Sequence, residues 1–385
     1  MIGASGRLRR SLNSLAVAAE TTARKMAPLP LGSSIGILGG GQLGRMIVLA
    51  AARLGYRGHV YCQDGDEPAA QVCGQVTVAE FGDESALKLF AASVDVVTFE
   101  FENVPTSPLA IMSGLAPLRP KPKVLEIAQD RLSEKGFLAS IGVPTTPYAS
   151  ATDANSLATA LDRIGRPAFV KSARWGYDGK GQVRIDTVGD ANSVWATLSS
   201  WGEPSSLIVE SAVDFDREIS VIVARGLDGE TAAYDAVENL HHEGILLRTL
   251  APAPISTTLA ANAQALAVRI AMELDLVGIL AVEMFITRDG VLLVNELAPR
   301  PHNSGHWTID ACAVGQFEQL VRAVTGLALG SSERHADAVM DNLIGADVAR
   351  WKELAEDPAA RLHIYGKRDT RPGRKMGHVT RLHLR

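Results

Sequence analysis

The sequence predicts an α/β chain of two or three domains whose N-terminal part is a small parallel sheet. Three observations carry that expectation. A chain of 385 residues exceeds a single core at roughly 100 to 200 residues per domain. Hydrophobic residues make up 46% and charged residues 21%, with glycine and proline spread throughout, a balance seen in globular enzymes rather than disordered or fibrous chains. Short apolar runs alternate with stretches of helical spacing between Ser34 and Phe99.

Ser34 to Leu38 is an apolar run ending in Gly39-Gly40-Gly41, and Gln42 to Leu54 then carries apolar residues at helical spacing, which reads as strand, glycine turn and helix. His59 to Cys62 and Val94 to Phe99 read as buried strands, with Glu84 to Ala92 a helix between them. Ligands of parallel sheets bind beyond the carboxyl ends of the strands, so Gly39 to Gly44 and Glu100-Phe101-Glu102 are expected on one rim. Pro117 to Pro122 reads as a linker, and Val124 to Ile141 as one helix carrying Arg131. A mixed region follows: a helix over Asp153 to Ile164, a strand over Ala168 to Lys171, a glycine loop over Gly176 to Gly181, and strands over Leu207 to Glu210 and Glu218 to Ala224. A helix over Leu259 to Leu274 leads into two strands, Gly278 to Thr287 and Val291 to Glu296, joined by Arg288-Asp289-Gly290. After Leu329 the chain turns polar, then compact, and ends in basic segments around Lys367 and Arg371 to His378.

The net charge of -5 argues against a general nucleic-acid binder. Cys62, Cys73 and Cys312 form neither a disulfide framework nor a metal-type spacing, which fits a reducing cytoplasm. No apolar run approaches the roughly 20 residues of a membrane span. Met1 to Leu31 holds five basic residues (Arg7, Arg9, Arg10, Arg24, Lys25) and one acid, Glu20. That is the composition of a targeting peptide, but Met26 opens a second plausible start, and a disordered or alternative-start leader over 1–31 is the preferred reading.

Four groups carry chemistry. Gly39, Gly41 and Gly44 fit GxGxxG after a strand, where backbone amides can approach phosphate; with Asp64 closing the second strand, a Rossmann-type NAD-dependent oxidoreductase stays open. Lys171 closes a strand five residues before the Gly176 to Gly181 loop, whose amides and Lys180 can fold over a polyphosphate, although the GK[ST] ending of a Walker loop is absent. The strongest signal is the pair Glu283 and Glu296. A four-residue turn from Arg288 to Val291 pairs Thr287 with Leu292 and so sets Glu283 opposite Glu296; a three-residue turn would shift the register by one. Opposed carboxylates repel unless a cation lies between them, and with phosphate oxygens they form the hard coordination that Mg²⁺ prefers. Ala281, Phe285, Leu292 and Val294 are expected to share that face. Last, Ala298 to Trp307 is dense in donors suited to an anionic ligand, and Lys367, Arg371, Arg374, Lys375 and His378 form either a ligand-binding cluster or a solvated basic tail.

These segments resemble the N5-carboxyaminoimidazole ribonucleotide synthase family of ATP-grasp enzymes. The matching runs are Gly39 to Met46 (GGGQLGRM), Phe99 to Val104 (FEFENV), Gln129-Asp130-Arg131, Gly176 to Gln182 (GYDGKGQ), Asn295 to Trp307 (NELAPRPHNSGHW) and Arg374 to His378 (RKMGH). The resemblance implies an ATP-grasp fold: a Rossmann-like domain over 32–122, a two-part ATP-grasp domain over 123–329 and a C-terminal segment over 330–385 that closes over the active site. It implies ATP held by Arg131, Lys171, Gly176, Tyr177, Asp178, Gly179, Lys180, Gly181, Gln182, Glu210, Ser211, Ala212, Val213, Glu218, Asn295 and Glu296. Mg²⁺, or Mn²⁺ in its place, would sit on Glu283 and Glu296. Substrate would meet Gln42, Leu43, Glu100, His302, Asn303, Ser304 and Lys375, with Lys171, Tyr177, Asp178, Arg300, His306, Lys367 and Arg374 in catalysis. The implied reaction is the ATP- and bicarbonate-dependent carboxylation of the 5-amino group of aminoimidazole ribonucleotide through carboxyphosphate, in a cytoplasmic homodimer. Two departures stand out: Trp175, where a second glycine often precedes GYDG, and the leader. A formate-using glycinamide ribonucleotide transferase of the same superfamily and an ATP-binding regulator without turnover are the remaining rivals.

Overall fold

The computed structural model describes residues 27–174, 181–187, 189, 191–199 and 206–384. The leader up to Met26, Trp175 and the expected ligands Gly176, Tyr177, Asp178, Gly179 and Lys180 lie outside the described residues.

Strands β1 (Ser34–Leu38), β2 (Arg57–Cys62), β3 (Gln75–Val78) and β4 (Val96–Phe99) form a parallel sheet in the order β3-β2-β1-β4. Helices α1 (Gln42–Arg53), α2 (Glu84–Ala92) and α3 (Thr106–Ser113) connect or follow them. The expected linker is instead an edge of this sheet. Val97 exchanges backbone bonds with Pro117 O and Arg119 N, both at 2.9 Å, and Leu118 is buried. The expected single helix from Val124 to Ile141 is two, α4 (Pro122–Ala128) and α5 (Arg131–Ser140). Asp130 breaks the run because its carboxylate accepts the amides of Leu132 and Ser133, both at 3.0 Å, and so caps a new helix.

The middle of the chain holds β5 (Tyr148–Ala151), α6 (Ala154–Ile164), β6 (Ala168–Ser172), β7 (Gln182–Ile185), α7 (Ala191–Ser199) and β8 (Leu207–Ser211), with an antiparallel sheet in the order β5-β8-β6-β7. A larger sheet follows. Its strands are β9 (Phe215–Arg225), β10 (Thr231–Ala233), β11 (Val237–His242), β12 (Ile245–Ala251), β13 (Gly278–Thr287), β14 (Leu292–Ala298), β15 (Ala336–Ile344), β16 (Ala360–Ile364) and β17 (Lys375–Leu384), in the order β14-β13-β9-β11-β12-β15-β17-β16 with β10 on β9. The C-terminal strands thus extend the same sheet through the β12–β15 pair.

Helix α8 (Thr257–Glu273) covers one face of this sheet over a core that includes Val221, Leu280 and Val282. The opposite face packs Ile222, Ala281 and Trp307 with α9 (Gln316–Thr325) and α1 of the N-terminal sheet. Both cores are apolar, yet Glu283, Glu296 and Glu218 project from that second face. Among the described residues no helix is long and apolar enough to cross a membrane.

Candidate active site

The β13–β14 hairpin sets the two carboxylates opposite each other by a different route from the one its turn length suggests. The turn has three residues: Thr287 N–H donates to Val291 O at 3.0 Å, and Gly290 takes the left-handed φ of 82° that such a loop requires. Ile286 therefore pairs with Leu292 and Met284 with Val294, one step off the expected register. A β-bulge at Asn295 then adds the missing residue and returns Glu283 opposite Glu296. The bulge has a hydrophobic cause. Leu292, Val294 and Leu297 differ in parity, and only an extra residue lets all three face the α8 core. Contrary to expectation, Leu292 and Val294 thus do not share the face of Glu283, whereas Ala281 and Phe285 do.

Helix α5 secures the bulge. Lys135, fully buried, donates from Nζ to Val294 O at 3.3 Å and Asn295 O at 2.9 Å, while Glu134 Oε2 accepts the Leu297 amide at 2.9 Å. The same ammonium lies 3.1 Å from Glu210 Oε1, and Lys171 Nζ lies 2.6 Å from Glu210 Oε2. Burial raises the Glu210 carboxyl, but Lys171 and Lys135 outweigh it and hold it down at about 2. Glu134 goes the other way, pushed up to about 8 by burial, with Lys135 opposing and Glu296 adding. Arg131, first residue of α5, reaches Glu296 Oε2 with Nη1 at 3.2 Å, and its amide is tied to Ala173 O at 2.9 Å beyond β6. Lys171 and Glu210 of the smaller sheet are thereby joined, through Lys135 and Arg131 of α5, to Asn295 and Glu296 of the larger one.

Burial, and after it the facing Glu296, push the Glu283 carboxyl up to about 7. His302 Nε2 stands 3.0 Å from Glu283 Oε1, and Glu218 pairs with His241 Nδ1 on the same face. Two facing carboxylates, the Glu283 group raised by burial and by Glu296, set beside the His302 ring, fit a divalent metal. Burial lowers His302 well below the ordinary range and His306 to about 3, so both rings are neutral near pH 7.

The glycine rim is occupied from within. Glu100, at the end of β4, accepts the Gly41 amide and the Gly44 amide, the latter at 2.8 Å, and a Cβ on Gly41 would lie 2.6 Å from Glu100 Oε1. The amide nest at the start of α1 therefore holds a carboxylate of the chain itself, which speaks against a dinucleotide pyrophosphate there. Asp64, which the rival oxidoreductase reading would use at the end of the second strand, accepts the Asp66 amide at 2.9 Å. Glu102 grips Arg300 with both oxygens, tying the rim to the loop after β14.

Three sequence profiles match the chain: the ribonucleotide synthetase preATP-grasp domain over residues 33–129, the ATP-grasp domain over 136–317 and the phosphoribosylaminoimidazole carboxylase C-terminal domain over 338–384. A protein of Brucella melitensis biotype 1 named N5-carboxyaminoimidazole ribonucleotide synthase is 47% identical over 351 residues, 91% of this chain and 96% of its own length. The chain belongs to the N5-carboxyaminoimidazole ribonucleotide synthase family. A bifunctional purine synthesis protein purC/E of Dictyostelium discoideum is 44% identical over 91% of this chain, which spans only 37% of that longer protein. The crystal structure of N5-carboxyaminoimidazole synthase from Aspergillus clavatus, in complex with ADP and 5-aminoimidazole ribonucleotide, superimposes with a TM-score of 0.85 at 30% identity over 92% of this chain and 94% of that one. The chain is an ATP-grasp enzyme that forms a carbon–nitrogen bond.

Other family positions separate into those in the site and those that are not. Asn303 is buried with both amide atoms unpartnered, as suits a side chain awaiting a ligand. Ser304 is fully buried and its hydroxyl is bonded to Ser220 Oγ at 2.7 Å. Leu43 packs into the core behind α1 while Gln42 is half-buried beside it. His306 Nδ1 meets Gln316 Nε2 at 3.0 Å, and its ring lies tilted against that of His378 on β17, centroids 4.7 Å apart. Ser211, Ala212 and Val213 continue from β8, with the Ala212 amide on Pro167 O at 3.0 Å; Gln182 pairs with Lys171 across β7 and β6.

The basic cluster divides. The charge of Lys375 is felt at Glu283, His302 and His306, whereas Arg374 donates from Nη1 to Asp369 O at 2.9 Å and Lys367 lies over the Tyr365 ring at 5.8 Å. Glu134, Lys135, His241 and Gln316 were missed by sequence reasoning. One signal was there for the first: Glu134 falls in line with Leu138 of α5 and Ile141 at its end, on a stripe that should be apolar.

Proposed function

We propose that the chain carboxylates the 5-amino group of 5-aminoimidazole ribonucleotide with ATP and bicarbonate, releasing ADP and phosphate. The observation that carries this reading is the meeting of Glu283 and Glu296 with Arg131, Lys171 and Glu210 beside the donor-rich loop from Arg300 to His306. ATP fits between the two sheets, against Lys171, Gln182, the Glu210 to Val213 segment, Glu218 and Asn295; the Gly176 to Gly181 motif, most of which lies outside the described residues, is assigned to its phosphates from the sequence. Glu283 and Glu296 would hold Mg²⁺, or Mn²⁺ in its place, which when bound neutralises phosphate charge. Lys171 adds a point charge, and Arg131 a planar fork, where negative charge builds during phosphoryl transfer.

Bicarbonate is a poor electrophile until phosphorylated, so the γ-phosphoryl group would pass to it and the amine would take its carbon from carboxyphosphate. The neutral rings of His302 and His306, with Asn303 and Lys375, are suited to orient the ribonucleotide and exclude water there. Tyr177, Asp178, Arg300, Lys367 and Arg374 complete the assignment. Domains over 32–122, 123–329 and 330–385, a homodimer and a cytoplasmic site of action belong to the same reading.

The test is ADP release in the presence of Mg²⁺ and bicarbonate. ADP formed only when aminoimidazole ribonucleotide is added is the expected result. ADP formed instead with formate and glycinamide ribonucleotide, or none at all, would overturn it.

A further inference from the structure

Four buried hydroxyl and amide groups cross the large sheet in a row and end on His302 and Glu283. Thr249 on β12 and Asn239 on β11 are cross-strand partners, and Ser220 on β9 stands opposite Glu283 on β13. Thr249 Oγ1 donates to Asn239 Oδ1 at 3.0 Å, Asn239 Nδ2 donates to Ser220 Oγ at 2.9 Å, and Ser220 Oγ donates to Ser304 Oγ at 2.7 Å. Ser304 Oγ lies 2.8 Å from His302 Nδ1, and His302 Nε2 lies 3.0 Å from Glu283 Oε1. Around the row the same face is apolar, with Ile222, Val237 and Ala251. Valine would fill these positions without the cost of burying polar groups, so the row serves something other than packing.

The row has a direction. An amide N–H can only donate, so Ser220 accepts from Asn239 and must direct its own proton to Ser304. Ser304 in turn directs its proton to His302 Nδ1, which also accepts the Ser304 backbone amide at 3.3 Å. With Nδ1 accepting, the neutral ring carries its proton on Nε2 and donates to Glu283. Reversing the Asn239 amide would reverse every hydroxyl behind it.

We propose that Thr249, Asn239, Ser220 and Ser304 are positioning residues that hold His302 in its Nε2–H tautomer. The ring then engages Oε1 of Glu283 and leaves Oε2 for a cation. None of the four touches a reacting atom. Ser304 acts through His302 rather than on substrate, and the inference rests on the reading of Glu283 as a metal ligand.

Nitrogen NMR of the metal-free protein labelled with ¹⁵N-histidine, with His302 assigned by His302→Gln, reads the tautomer directly. The wild type should show Nε2–H, and Ser220→Ala should mix the tautomers and raise the Mg²⁺ concentration needed for ATP turnover about tenfold, as losing support behind a ligand does, with KM for the ribonucleotide moving less than about twofold. Ser220→Thr, which keeps the hydroxyl, should restore both readouts. If Ser220→Ala does not fold, Asn239→Asp keeps the shape while replacing the amide donor, and should likewise move the proton to Nδ1. A wild-type ring already protonated on Nδ1, or a tautomer unmoved by these changes, overturns the proposal. An Mg²⁺ requirement unaffected by Glu283→Gln, with the tautomer behaving as expected, overturns the metal reading instead.

Discussion

Glu100 in the N-terminal domain and Glu283 in the central hairpin are both half-buried carboxylates raised by desolvation, but their surroundings differ in kind. Glu100 lies in a nest of backbone amides from Gly41 and Gly44, so the chain supplies its own counter-dipole and the glycine rim is closed. Glu283 faces a second carboxylate, with the neutral His302 ring of the loop after β14 beside it and the charge of Lys375 felt from β17. The first arrangement completes itself. The second leaves two acids facing each other across the hairpin. A glycine motif beside a strand is thus a weaker guide to ligand binding than two acids set opposite each other in a buried sheet face.

The largest effect should come from Glu296→Gln, which keeps the volume but removes one of the opposed charges and the partner of Arg131. Turnover should fall by at least about a thousandfold, roughly 4 kcal/mol in the barrier, with circular dichroism unchanged. Turnover within about tenfold of wild type would make the hairpin resemble the glycine rim, a structural device only.

Lys135→Met comes next. It takes from the buried Glu210 carboxylate one of its two ammonium partners, leaving Lys171, and leaves the two bulge carbonyls unpaired in the interior, at a cost of about 2 to 4 kcal/mol. Denaturant unfolding should show it, and a loss under about 1 kcal/mol would mean the bulge does not depend on α5.

Stability against pH sharpens the comparison further. The unfolded chain releases the Glu134 proton near the ordinary 4.5, the folded chain at about 8. Between those values the folded state holds more protons, so this group makes stability fall as pH rises. Below about 6.5 the half-buried His302 and the buried His306 and His378, all lowered, push the opposite way, because the unfolded chain then binds more protons. The clear window is above that, where wild-type stability should drop by about 1 to 2 kcal/mol up to pH 8 and Glu134→Gln should flatten the drop. The smallest effect belongs to Asp64→Ala. It should change turnover less than about twofold, since no dinucleotide ribose is bound there.

How much of this was legible in the sequence depends on where each cause lies. The opposition of Glu283 and Glu296 was legible, but through a turn one residue too long. The true cause, the bulge at Asn295, needs the parity conflict between Val294 and Leu297 and a clamp from Lys135, 160 residues away in the chain. The strand–turn–helix at Gly39 to Gly44 was legible because its cues are local, whereas the occupant of its amides, Glu100, comes from a strand 56 residues further on. Asp130 was hidden as a helix break because it lies inside a continuous helical pattern. The join of β15 to β12 was not legible at all, since pairing between distant strands leaves no mark in either one.

The most direct test of the hairpin as a cation site is a titration with Mn²⁺, followed by electron paramagnetic resonance in the presence of ADP. The wild-type protein should take up Mn²⁺, Glu283→Gln should weaken that binding at least about tenfold, and Glu100→Gln should leave it within about twofold. Equal binding by wild type and Glu283→Gln would contradict the account, because the two facing carboxylates would then be holding nothing.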